Sequence, residues 1–97
     1  YMLISIQEAR DKLRIDGTDN DAIITSLLEA IPAYLEAQTG KTWTDDAIVH
    51  PLAQTAARFI LQLWYDPLTV DSDRLKKVID SLVSHLSIIA RRDLYNG

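Results

Sequence analysis

The chain has 97 residues, no cysteine, 47% hydrophobic and 25% charged side chains, and a formal net charge of −4. That length fits one domain with one modest core, and that hydrophobic content excludes a disordered chain. Without cysteine there are no disulfides and no thiolate metal sites, and an acidic total argues against tight sequence-independent binding to nucleic acid, which rests on Lys and Arg neutralising phosphates.

The charge is unevenly spread. Residues 1–46 carry nine acids and four bases, and residues 47–97 carry five acids and six bases. Two readings stay open: the two halves pair within one subunit, or they meet between subunits. Tyr1 ahead of Met2 reads as an addition to a natural start at Met2, so residues 2–97 form the expected single domain. The apolar start, Met2 to Ile6, is too short for a secretory signal and is followed at once by Gln7, Glu8, Ala9 and Arg10.

Taken in order, Ser5-Ile6-Gln7-Glu8 has the form of a capping box, in which the Ser hydroxyl accepts from the Glu8 N–H and the carboxylate reaches back to the Ser5 N–H. A short helix to about Leu13 follows, with Ile6, Ala9, Leu13 and the stem of Arg10 inward and Ile4 stapled onto Ala9. Residues 16–21, DGTDND, form a turn whose acids invite calcium. A calcium loop places Gly sixth and Glu twelfth, whereas here Gly17 is second and the twelfth residue is Leu27. These acids and Asn20 read instead as a cap for the next helix.

Residues 21–38 carry the clearest helical period, with Ile23, Ile24, Leu27, Leu28, Ile31, Tyr34 and Leu35 on one face. Pro32 lies on the opposite face and conflicts with a helix interior, because it removes a hydrogen bond to Leu28 and crowds that carbonyl. Thr39-Gly40 is the stop, with glycine suited to the left-handed position. A connection from Lys41 to Val49 holds Trp43, and Asp45-Asp46 has the character of a single turn.

Residues 51–65, PLAQTAARFILQLWY, are the most apolar run. On a wheel of 3.6 residues per turn, Gln54, Thr55, Arg58, Gln62 and Tyr65 fall in one narrow stripe and apolar residues fill the rest. A surface helix shows the reverse proportions, so this is expected to be a central helix with neighbours on most sides. Pro51 suits its first turn and Pro67 disfavours continuation past Asp66. After a loop over 66–71, Ser72 or Asp73 caps a last helix with Leu75, Val78, Ile79 and Leu82 inward, Val83 and Leu86 as further candidates for that face, and Lys76, Lys77, Asp80, Ser81 and Ser84 outward. From His85 to Arg92 helical and strand periods both fit. The expected fold is therefore all-α, a small bundle of about four helices around a central apolar helix, with an extended C-terminal tail as an option.

No catalytic signature is present: there is no His-Glu-x-x-His, no phosphate-cradling glycine loop and no Gly-x-Ser-x-Gly. His50 and His85 each lack a positioned partner for acid–base work. No catalytic residue, metal ligand or cofactor is assigned. The candidate interface residues are Trp43, an aromatic on a loop, Arg58 in the polar stripe, and the bases Arg74, Lys76, Lys77, Arg91 and Arg92. Arg58 reads either as a side chain snorkelled to the surface or as the partner of a carboxylate on a neighbouring subunit.

The order of these features resembles the small head–tail connector (adaptor) family of long-tailed bacteriophages and prophages. The likeness is carried by ISIQEA at 4–9, LRID at 13–16, an acidic turn, YLEAQTGK at 34–41, and the apolar helix ending in Leu63-Trp64-Tyr65. Ser81-Leu82-Val83 matches the paired aliphatics with which the family tends to close. Asp66-Pro67 stands where a polar Asn-Arg-like continuation is usual, Pro32 where an Ala-like residue is, and Ser84-His85 where a proline is common. The resemblance implies a non-enzymatic virion protein without cofactors. It implies a small helical bundle that assembles as a ring matched to a dodecameric portal after DNA packaging in the host cytoplasm. Its partners would be further copies of itself, the portal protein and a tail-side adaptor or stopper, with the genome passing through the lumen and no membrane involved. The other reading of the residues is a small acidic helical module that binds or regulates a partner.

Overall fold

A computed structural model describes residues 2–45 and 47–96, the last three as backbone only. Four α-helices follow one another, α1 (Ile6–Leu13), α2 (Asp21–Thr39), α3 (Pro51–Tyr65) and α4 (Ser72–Asn96), with a 3-10 turn over Trp43–Asp45 between α2 and α3. There is no strand among the described residues.

Each helix starts and stops for local reasons. Ser5 caps α1 with the complete box: the Glu8 N–H donates to the Ser5 hydroxyl at 3.1 Å and the Ser5 N–H donates to the Glu8 carboxylate at 3.3 Å. Ile4 and Ala9, the two staple positions, are both buried. Gly40 ends α2 at φ 82°, its N–H donating to the Glu36 carbonyl at 2.7 Å. His50 caps α3, its Nδ1 accepting from the Leu52 N–H at 3.1 Å, and Pro51 is the first helical residue.

α3 packs against α1, α2 and α4, and its buried residues Ala53, Ala56, Ala57, Ile60 and Leu61 look in several directions. The three alanines let the neighbouring backbones come close, and Ile60 and Leu61 fill the space beyond them. α2 contributes Ile24, Leu28, Ile31 and Leu35, and α4 contributes Leu75, Ile79, Leu86 and Ala90. The radius of gyration is 13.6 Å, with a longest extent of 44 Å. That extent follows from α4, whose 25 residues span about 37 Å at 1.5 Å each.

One expectation changes, and the structure bears on three others. Ile23 is 58% exposed, because the stripe of α2 that packs is the narrow i, i+4, i+7, i+11 series from Ile24 to Leu35. Pro32 does not break α2, since Ile31 and Leu35 on either side are fully buried and hold the turn in place. The C-terminal segment is not an extended tail: α4 runs without interruption to Asn96, because Leu86 and Ala90 keep the helical period and both are buried. The turn after α2 spans Trp43–Asp45, and Asp46, with its pairing to Asp45, lies outside the described residues.

Two stability measurements check this packing. Leu61, with no exposed surface, is expected to cost ~2–5 kcal/mol on replacement by Ala. A urea-unfolding loss well below 1 kcal/mol would contradict the central placement of α3. Pro32→Ala is expected to stabilise by about 1–2 kcal/mol, the restored helical bond outweighing the looser unfolded chain; a loss of stability would show that the proline ring packs in a way an alanine cannot replace.

Candidate functional site

The polar stripe of α3 is where the first twenty residues are fastened. The Gln54 side-chain amide donates to the Leu3 carbonyl at 3.3 Å. Arg58 Nη2 donates to Glu8 Oε2 at 3.2 Å. The Tyr65 hydroxyl accepts from Asn20 Nδ2 at 2.9 Å. The carboxylate that meets Arg58 therefore belongs to its own chain, and Glu8 serves both the α1 cap and the α1–α3 link. Asn20 precedes α2 but makes no side-chain cap bond, since its amide is committed to Tyr65.

A second fastening joins α1 to the start of α2. Arg10 holds Asp21 with two hydrogen bonds, Nε to Oδ1 at 2.9 Å and Nη2 to Oδ2 at 2.6 Å. The bidentate geometry fits the planar guanidinium. Arg10 is inward by its stem and Asp21 one of the capping acids in the sequence reading; eleven positions apart and on different helices, the two give no periodic signal of their meeting. A third link ties the end of α4 back to the α2–α3 connection, with Lys41 Nζ 2.7 Å from the Asp93 carboxylate.

Trp43 is corrected: it is 1% exposed and belongs to the core, not to a surface. Its indole N–H donates to the Thr39 hydroxyl at 2.9 Å, and that hydroxyl donates to the Leu35 carbonyl at 2.7 Å. As an aromatic on a connection Trp43 was an interface candidate, but here the connection folds back so that the ring joins the core. Trp64 meets Tyr34 edge to face, with ring centroids 5.4 Å apart.

The bases of α4 face outward. On a wheel of about 100° per residue, Arg74, Lys76, Lys77, Arg91 and Arg92 lie within an arc of about 160° opposite Leu75, Ile79, Leu86 and Ala90. Asp73 and Asp80 share that arc. Arg74 pairs with Asp71 at 3.2 Å, both well exposed, a contact worth little. Lys76, Lys77, Arg91 and Arg92 have no ion pair among the described residues. Glu8–Arg58 is the one contact among the described residues in which an acid of the first half meets a base of the second.

At the α1–α2 end of the bundle a cleft of about 520 Å³ opens between Lys12, Leu13 and Arg14 from the end of α1, Gln62 and Tyr65 from α3, and Asp66 and Thr69 from the following loop. His50 is engaged as a helix cap, and His85 Nδ1 lies 2.8 Å from the Ser81 carbonyl one turn back in α4. No group of three or more His, Asp or Glu side chains converges among the described residues, and no helix there is long and apolar enough to cross a membrane.

The chain is thus an all-α bundle whose helices are joined by ion pairs of its own, with charged surfaces turned outward. The family model for the phage gp6-like head-tail connector protein matches residues 3–90, and the chain belongs to that family. The match runs from Leu3 to Ala90, the first and last buried residues among the described residues. Its role is that of a structural component of the phage head–tail connection. No curated protein and no solved structure matches the chain.

Acid should loosen the helix links. Arg58 and the Ser5 N–H hold the Glu8 carboxyl below its ordinary range, Arg10 does the same for Asp21, and Lys41 for Asp93. A carboxyl depressed in the folded chain binds fewer protons there than in the unfolded chain, so its contribution is present above the ordinary carboxylate range and is lost as pH falls through the folded value. Thermal midpoints followed by circular dichroism are expected to hold near neutrality and to fall from about pH 5 downward. Glu8→Gln should cost under about 1 kcal/mol at pH 7, because the pair is half exposed, and should flatten the acid slope; an unchanged slope would remove Glu8 from the account.

Proposed function

We propose that the chain is a ring-forming subunit placed between the portal and a tail-side adaptor or stopper. In this reading copies associate head to tail, matched to a dodecameric portal after DNA packaging, and the genome passes through the lumen. The observation that carries the proposal is the family match over residues 3–90. A closed ring needs two different faces on each subunit. The outward bases of α4 and the acid-rich first half of the chain are suited to supply them. Among the candidate residues, Arg74, Lys76, Lys77, Arg91 and Arg92 are the ones proposed to reach a neighbour or the portal. Arg58 keeps a lesser part, since it is already paired, and Trp43 none. An acidic subunit around a DNA channel would also hold the genome weakly, as passage requires.

Light scattering after gel filtration, with electron microscopy, tests this over a range of concentrations with and without the portal of the same phage. Rings, or a stable complex with the portal, are expected. A strict monomer that ignores portal and tail components would favour the small regulatory module instead. The charge reversals Lys76→Glu with Lys77→Glu, Arg91→Glu with Arg92→Glu, and Arg74→Glu are expected to impair assembly while the helical circular dichroism stays unchanged. Assembly at the wild-type level in all of them would leave these charges as solvated surface.

A further inference from the structure

Arg14 is the one residue other than glycine with a positive φ among the described residues, at φ 58° and ψ 45°. It ends α1 in a complete Schellman arrangement. The Ile15 N–H donates to the Arg10 carbonyl at 2.9 Å and the Arg14 N–H donates to the Asp11 carbonyl at 3.2 Å. Glycine is the usual occupant of this position because any Cβ is strained there. A basic residue near a helix C-terminus suits the helix dipole. That accounts for Lys12 in the last turn, but the same benefit is open to residues with ordinary backbone. It does not account for an arginine where glycine fits best.

The side chain supplies the reason. The exposed Arg14 side chain makes no hydrogen bond or ion pair among the described residues, and the residue lines the cleft beside Lys12. Lys12 is itself positioned, its ammonium 5.0 Å from the centre of the Phe59 ring. The Tyr65 hydroxyl accepts from Asn20, which leaves its own hydrogen to donate toward the cleft. Gln62 and Thr69 add further donors, and Leu13 gives one apolar wall. Against these donors stands one carboxylate, Asp66, so the cleft has two cations to one anion.

We infer that this cleft is a binding site for a carboxylate-bearing peptide segment of a partner protein, with Arg14 as its principal contact. A surplus of one positive charge matches one carboxylate. A duplex polyanion is disfavoured, because two cations release few counterions. The volume suits a few residues of peptide rather than a single ion. The backbone strain at Arg14 is then the cost of aiming its guanidinium. The inference deepens the connector reading by giving that assembly a specific receptor for an acidic side chain.

The test uses the full isotope-labelled chain and the probe acetyl-Leu-Glu-Leu-amide, followed by amide shifts in NMR. It needs no assembled ring, so its failure is distinguishable from a failure to assemble. Saturable shifts are expected at residues 12–15, 62, 65 and 69. Arg14→Gly should raise the thermal midpoint by about 2–6 °C, because glycine relieves the left-handed strain, while weakening the peptide about tenfold or more. Arg14→Lys, strained but charged, should keep part of the affinity. Undiminished binding by Arg14→Gly, an absence of saturable shifts in the wild type, or tighter binding of inorganic phosphate or a short DNA duplex at the same amides would each overturn the assignment.

Discussion

Everything in this bundle depends on burying α3 on several sides at once. A fifteen-residue helix with Ala53, Ala56, Ala57, Ile60 and Leu61 all within 1% of full burial cannot be covered by one neighbour. α2 and α4 each bring a single apolar stripe, and the N-terminal segment adds Leu3, Ile4 and Ala9. None of these elements has another apolar surface large enough to receive it, so the three converge on α3. The hydrophobic gain of that convergence outweighs local costs such as Pro32 inside α2.

The polar links are secondary in energy but decide the arrangement. Glu8–Arg58, Arg10–Asp21 and Lys41–Asp93 are all at least partly exposed, where an ion pair contributes little to stability. Their effect is orientation. α1 has eight residues, too few to be stable alone in water, and Arg58, Gln54 and Asp21 fix where it lies. By placing α1, they also place the end of α1 against the loop after α3, and that juxtaposition forms the cleft.

Much of the fold was legible because the local signals agreed with the tertiary result. The Ser5–Glu8 box, Gly40 and the prolines at 51 and 67 mark three helices almost to the residue, and the wheel of residues 51–65 already identifies the centre. What was not legible required contacts between elements. Trp43 looks like an exposed loop aromatic until the connection folds it onto Thr39. Residues 85–92 fit two periods, and burial of Leu86 and Ala90 against the rest of the core selects the helix. Ile23 looks like core until α2 proves to pack by a narrower stripe. Lys76 and Lys77 were legible as outward, since a helical period is enough to show that, whereas Arg91 and Arg92 lie where both periods fit. The left-handed Arg14 was not, because nothing in Leu13-Arg14-Ile15-Asp16 marks a positive φ where a glycine is expected.

The core of this chain is buried within one subunit, and on the proposed reading the connector's contacts fall on its charged periphery. Hydrogen exchange of the free chain and of the chain assembled with its portal tests that division most directly. The account predicts that α3 amides are the slowest to exchange and equally slow in both states, with added protection confined to the α1–α2 turn, the loop after α3 and the outer side of α4. A gain of protection along α3 on assembly would contradict it, because the central helix would then be finished by a neighbouring subunit rather than by its own chain.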